Sequence, residues 1–165
     1  MDLRLDPDGT LVAGDWRAAA VVGRSGRRRD KHEGDGATPI GRFALRRLFL
    51  RPDRQAPPPT RLACQPLAPD LGWCDDCTHP DYNRLITLPH PARHECLWRD
   101  DGVYDLLVVL GHNDDPVVPG AGSAIFLHLT RPDRRPTEGC VALDLPDLRA
   151  LLTRCGPGDW LRVVG

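Results

Sequence analysis

No stretch of the 165-residue chain approaches the ~20 consecutive apolar residues that a membrane-spanning helix requires. Its longest apolar runs, such as Leu106 to Leu110, have the length of a strand. An excess of one charge is missing too: 22 basic and 23 acidic side chains leave a formal net charge of −1. That balance argues against a nucleic-acid surface as the main function. Internal repeats are absent. The start, Met-Asp-Leu-Arg-Leu-Asp-Pro-Asp-Gly, lacks the basic opening, apolar stretch and small-residue cleavage site of a signal peptide. Lysine is reduced to Lys31 beside 21 arginines, from which no functional conclusion follows. Cysteines 64, 74, 77, 96, 140 and 155 are too few for a disulfide scaffold at this length. They suffice for one or two bridges, a metal site or a nucleophile, and the sequence assigns no pairing among them.

What the chain does hold is glycine (16) and proline (17), a fifth of its residues, which excludes long helices and coiled coils. Its hydrophobic fraction of 41% supplies one core for a single domain over residues 1–165. Leu3 and Leu5 alternate with charged residues, Asp6 to Gly9 is turn chemistry, and Thr10 to Ala13 resumes, which predicts a hairpin. Ala18 to Val22 reads as a third strand and Gly23 to Gly36 as a solvated polar loop carrying Lys31, Glu33 and Asp35. Thr38 to Gly41 reads as a turn into a strand at Phe43 to Leu45, and Pro52 to Pro59 as extended chain. Residues Arg61 to Asp101 show weak periodicity and are expected to be loop-dominated, with a helical turn near Ala92 to Trp98. Tyr104 to Leu110 and Ser123 to Leu129 are apolar enough for strands buried on both faces. Pro146 to Thr153 is the one clear helix, with Leu148, Leu151 and Leu152 on one face and Gly156-Pro157 as its stop. Trp160 to Val164 closes the chain as a strand. The expectation is a mainly β fold with one short helix in its C-terminal half and a loop-rich middle third.

Chemistry concentrates at His128 and at Thr137-Glu138-Gly139-Cys140. A cysteine attacks carbonyls as thiolate, and a neighbouring histidine supplies the proton acceptor. Backbone amides at Gly139 and Cys140 are the candidates to hold a developing oxyanion. Twelve residues separate His128 from Cys140, a hairpin's reach. Spacing alone leaves open the other reading, a satisfied core histidine and a small buried thiol.

Thr-Glu-Gly-Cys-Val-Ala-Leu, at residues 137–143, resembles the Ser/Thr-x-Gly-Cys motif of the L,D-transpeptidase catalytic (YkuD) domain. His128 falls where that family carries its catalytic histidine, and Thr38 to Phe43 resembles its Thr-Pro-x-Gly-x-Phe segment. The motifs occur in the family's order, and the resemblance spans about Gly14 to Val164. It implies a β-sandwich-like fold and acyl transfer between peptidoglycan stem peptides, donor and acceptor, with Cys140 as nucleophile and His128 as base. It also implies covalent inhibition by carbapenems, no cofactor, and a periplasmic site of action despite the missing signal. Two positions depart from the family. Glu138 replaces the common histidine, and Ala142 replaces an arginine or asparagine, removing a guanidinium fork that helps to orient the donor. Loss of that arginine resembles the branch that joins the first L-alanine of one stem to the diaminopimelate of another (1-3 type). Hydrolysis on the same machinery (an L,D-carboxypeptidase) and a non-catalytic wall-binding module are the alternatives.

Other constellations are weaker. Cys74 and Cys77 with His90 and His94 have the spacing of a two-Cys, two-His zinc site, but Pro89 and Pro91 flank His90 where a finger needs continuous helix. His112 and Asn113, at the end of a buried strand, are candidates to contact substrate or to form a turn. Trp73 and Tyr82-Asn83-Arg84 are candidates to line a peptide groove.

Overall fold

The computed structural model describes all 165 residues. Its first strands follow the alternation in the sequence: β1 (Asp2–Leu5) and β2 (Thr10–Ala13) form the expected hairpin, with Leu3, Leu5, Leu11 and Ala13 fully buried. Gly9 makes the turn possible by taking φ +89°, a conformation that costs other residues a steric clash. The third strand lies earlier than the sequence suggested, at β3 (Trp16–Ala19), because it must pair in register with β2. Two-residue strands β4 (Arg27–Arg28) and β5 (Thr38–Pro39) follow, so the expected turn at Thr38 is a strand that bends into β6 (Gly41–Leu50). Strand β6 is far longer than the three residues foreseen. A bulge near Arg46 and Arg47 reverses its alternation, so Phe43 and Leu45 face the same way as Leu48 and Leu50.

The middle third departs from expectation. Besides β7 (Cys64–Pro66), it holds β8 (Leu71–Cys74), β9 (Leu85–Thr87) and β10 (His94–Cys96), and the last three pair into a small antiparallel sheet in the order β10-β8-β9. The expected helical turn at Ala92 to Trp98 is therefore β10. Strands of three or four residues bounded by proline are too short to leave a period in the sequence. Beyond them come β11 (Leu106–Leu110), β12 (Phe126–Leu129), β13 (Val141–Leu143), the helix α1 (Leu145–Leu152) and β14 (Trp160–Val163).

The large sheet has nine strands in the order β13-β12-β11-β6-β14-β1-β2-β3, with β7 added to β6. Its two ends meet. Val21, just past β3, donates to the carbonyl of Ala142 in β13 at 2.9 Å and accepts from its amide at 2.8 Å. The sheet is nearly closed, and it separates two apolar layers. Leu106, Val108 and Leu110 of β11, with Leu127 and Leu129 of β12, enter a core of 23 buried residues that also takes Leu148, Leu151 and Leu152 of α1. Leu107, Val109 and Phe126 point the other way, into a core of ten shared with Trp73 of the small sheet. Continuous apolar sequence in β11 is the result of being covered on both faces.

Candidate active site

Strands β12 and β13 run parallel with His128 opposite Ala142, so those two side chains share a face. Alternation carries that face back two residues to Cys140, immediately before β13, and forward from Phe126 on β12. Cys140 accordingly lies in the smaller core with Phe126 and Tyr104, not in the larger one. The bend that delivers Cys140 needs glycine at 139. Its φ is +138°, and a side-chain carbon there would meet the Ala37 carbonyl oxygen at 2.8 Å. Thr137 braces the same bend, its Oγ1 accepting from the Gly139 N–H at 3.1 Å and donating to the Cys140 carbonyl at 2.6 Å. Thr38, fully buried, accepts the Gly23 N–H at 2.9 Å and reaches the Cys140 carbonyl at 3.4 Å. The two sequence motifs are thus one structure: the Thr-Pro segment holds the Gly-Cys segment.

The Cys140 thiol donates to the Ala124 carbonyl at 3.2 Å and accepts from the Phe126 N–H at 3.3 Å. Burial, then the nearby Glu95 charge, push it up to about 12. His128 is buried as well; its Nδ1 lies 2.8 Å from the carbonyl oxygen of Leu129. A carbonyl only accepts, so Nδ1 carries the proton and the Nε2 lone pair is left available. Desolvation pulls this imidazole down to about 4, so the resting site pairs a neutral thiol with a neutral imidazole. Of the two amides considered for an oxyanion, Gly139's is engaged by Thr137, whereas that of Cys140 has no acceptor within the chain.

Both residues line a cleft of about 670 Å³, the larger of the two principal cavities. Its walls carry Arg24, Arg99, Arg131 and Arg135, and also Glu33 and Glu95. Glu95, at the centre of β10, accepts the Tyr104 hydroxyl at 3.1 and 3.2 Å, and the Tyr104 ring stands edge-on to His128 at 5.3 Å. Sequence reasoning passed over Glu95, Tyr104, Arg99 and Arg131. Glu95 reaches the cleft on β10, where the sequence suggests only a short helical turn, and the others carry no local motif. The polar loop is less solvated than expected. Lys31 is buried in an ion pair with Asp35, and Glu33 accepts the Ser123 hydroxyl at 2.7 Å.

Other singled-out residues fall elsewhere. Trp73 packs edge-on against Phe126 at 5.1 Å, beneath the site, and its Nε1 donates to Asn83 at 3.0 Å. Tyr82 is buried with its hydroxyl on Glu33, and the Gly122 N–H donates to that hydroxyl at 3.1 Å. Asn113 forms a turn, taking φ +50° and bonding Val118 and Gly122. His112 is fixed to the Ala121 carbonyl at 3.0 Å and, with Trp73, borders the second cavity. Asn83 is the common anchor. Its Oδ1 accepts from Trp73 and Ala124, and its Nδ2 donates to the carbonyls of His112 and Asn113. Glu138 is exposed and pairs with Arg24 at 2.8 Å.

The zinc arrangement does not form. Cys74 is buried against Ile86 and Ala92, His94 bonds the Ala92 carbonyl, and all six cysteines are free thiols. His90 instead approaches His79 and Asp81. In both of those rings Nδ1 accepts a backbone N–H, from Ala92 and from Asp81, which places the proton on Nε2 and consumes the lone pairs a metal needs.

The chain matches the L,D-transpeptidase catalytic domain (YkuD) over residues 3–164 and belongs to that family, whose members act on peptidoglycan. A search of curated proteins finds no match. Among solved structures, it is similar in fold to the helical cell shape determining protein Pgp2 of Campylobacter jejuni, with a TM-score of 0.50 at 15% identity. A lysine-to-alanine variant of Pgp2 gives 0.52, also at 15% identity. Each match covers 98% of this chain and 46% of Pgp2, so the chain spans about half the length of that protein. No helix is long and apolar enough to cross a membrane.

Proposed function

We propose that residues 1–165 act as one catalytic domain, a cysteine-dependent peptidoglycan L,D-transpeptidase that works in the periplasm. The observation that carries this reading is the placement of Cys140 and His128 on one face of adjoining strands, in one cleft, with Nδ1–H of the base held by Leu129. Because thiol and imidazole rest neutral, His128 Nε2 takes the thiol proton as sulfur attacks the donor carbonyl, rather than beforehand. The free Cys140 amide receives the oxyanion. The tetrahedral intermediate collapses to a thioester, and the imidazolium returns its proton to the leaving amine. An acceptor amine then attacks the thioester to give the cross-link; attack by water gives carboxypeptidase activity. The arginines along the cleft suit the carboxylates of an acidic stem peptide.

Ala142, buried beside His128, presents no guanidinium to the donor, which favours the 1-3 cross-link. Purified stem peptides and mass spectrometry of the products test it: retention of the donor's first L-alanine plus the next two residues in the new link overturns that subtype. For catalysis itself, wild-type protein is expected to form a covalent carbapenem adduct that Cys140→Ala lacks. No adduct on either protein would favour a wall-binding module. A reporter fused at the start codon tests export.

A further inference from the structure

Glu95 is the site's unassigned charge. Its carboxyl lines the cleft with Cys140 and His128, and Tyr104 is its only hydrogen-bond partner. No basic side chain lies within ion-pair distance of it. The nearby guanidinium of Arg99 is committed to Asp101, at 3.0 Å from Nε and 2.5 Å from Nη2, and Arg131 shares the same carboxylate at 3.1 Å. A desolvated carboxylate without a counter-ion is unfavourable, and a cation entering the cleft removes that penalty. The donor step has no use for it, since negative charge beside the sulfur opposes both thiolate and oxyanion. The second step does, because its nucleophile arrives as a primary ammonium and must lose a proton before it can attack.

Resting on the transpeptidase reading above, we propose that Glu95 binds the ammonium of the acyl acceptor and takes its first proton, selecting amine over water at the thioester. The ammonium gives one proton to the carboxylate. The freed nitrogen pair attacks the thioester carbon, and the C–S bond breaks with its electron pair on sulfur. The second proton passes through His128 to that sulfur, restoring the thiol, and Glu95 releases its proton to solvent. Burial pushes the Glu95 carboxyl up to about 7, basic enough to share a proton near neutrality. Strand pairing of Glu95 with Trp73 and the Tyr104 hydroxyl hold the carboxyl in place.

The test supplies one stem tetrapeptide as both donor and acceptor and measures the ratio of cross-linked dimer to hydrolysed acid. Glu95→Gln keeps the shape and an oxygen for Tyr104 but removes the charge. The dimer-to-acid ratio is expected to fall by about tenfold or more, the size of a lost charge-assisted hydrogen bond, while acid continues to form. An unchanged ratio overturns the proposal. A Glu95→Gln protein that forms neither product also overturns it, since Glu95 would then serve the first acyl transfer. Wild-type protein that forms no thioester defeats the transpeptidase reading itself, a separate result visible as the missing carbapenem adduct.

Discussion

His128, buried, and Glu95, part-buried, line the same cleft with protonation shifted in opposite directions, which has a consequence for stability. Folding draws the imidazole from 6.5 to about 4 and raises the carboxyl from 4.5 to about 7. Between pH 4.5 and 6.5 the unfolded histidine holds a proton that the folded one lacks, so its contribution makes stability rise with pH. Over the same window the folded glutamic acid keeps a proton that the unfolded one has lost, so its contribution makes stability fall with pH. In the wild type the two slopes oppose each other. In His128→Asn only the second remains, and stability is expected to fall with pH more steeply than in the wild type, by about 1 kcal/mol per unit. Urea unfolding at pH 4.5, 5.5 and 6.5 measures it; equal slopes in the two proteins contradict the assignment. At this scale the sequence was partly legible. Cys140, His128 and Thr38 carry a motif, whereas Glu95 and Tyr104 acquire meaning only when a distant strand folds over the cleft.

Among the elements, the small sheet of β8, β9 and β10 was the hardest to foresee and matters most to the site. Its strands are three or four residues long, interrupted by prolines and a CxxC that invites a metal reading. Their stability comes from what they cover rather than from local propensity. Asn83, in the turn from β8 to β9, shows how the cover is fixed, using its two amide hydrogens and its carbonyl oxygen for four bonds. Two of these reach the 111–124 loop at His112 and Asn113, and a third holds Ala124, whose carbonyl receives the Cys140 thiol. Asn83→Ala leaves the Trp73 N–H and the Ala124 N–H without an acceptor, with an expected loss of about 2–4 kcal/mol. Carbapenem acylation should slow with it. Thermal unfolding and adduct formation followed on one preparation check both, and a stable variant with slow acylation would separate positioning from stability. Strands β11 and β12 were readable because burial on both faces leaves continuous apolar sequence, and α1 because its leucines recur at helical spacing, whereas the bulge in β6 broke the alternation that marks a long strand.

Across the whole molecule, closure of the large sheet is what the linear sequence conceals most completely. β1 lies in the middle, parallel to the final strand β14, and the segment after β3 returns to β13. Val21→Pro removes the N–H that bonds Ala142 and is expected to cost about 3 kcal/mol or more. A melting temperature unchanged from wild type would show the seam to be dispensable. Two sets of bonds cross this seam. Val21 meets Ala142, and Thr137 meets Val22 and Arg24 at 3.0 and 2.8 Å. Cys140 sits between them. The bend that presents the Cys140 thiol is therefore tied down by a contact between the first and last fifths of the chain. A chain in which this seam is open carries the thiol without the bonds from Val21, Val22 and Arg24 that flank it. On the transpeptidase reading proposed above, carbapenem reactivity is expected to report completed folding, appearing only once residues 21–24 have met residues 137–142.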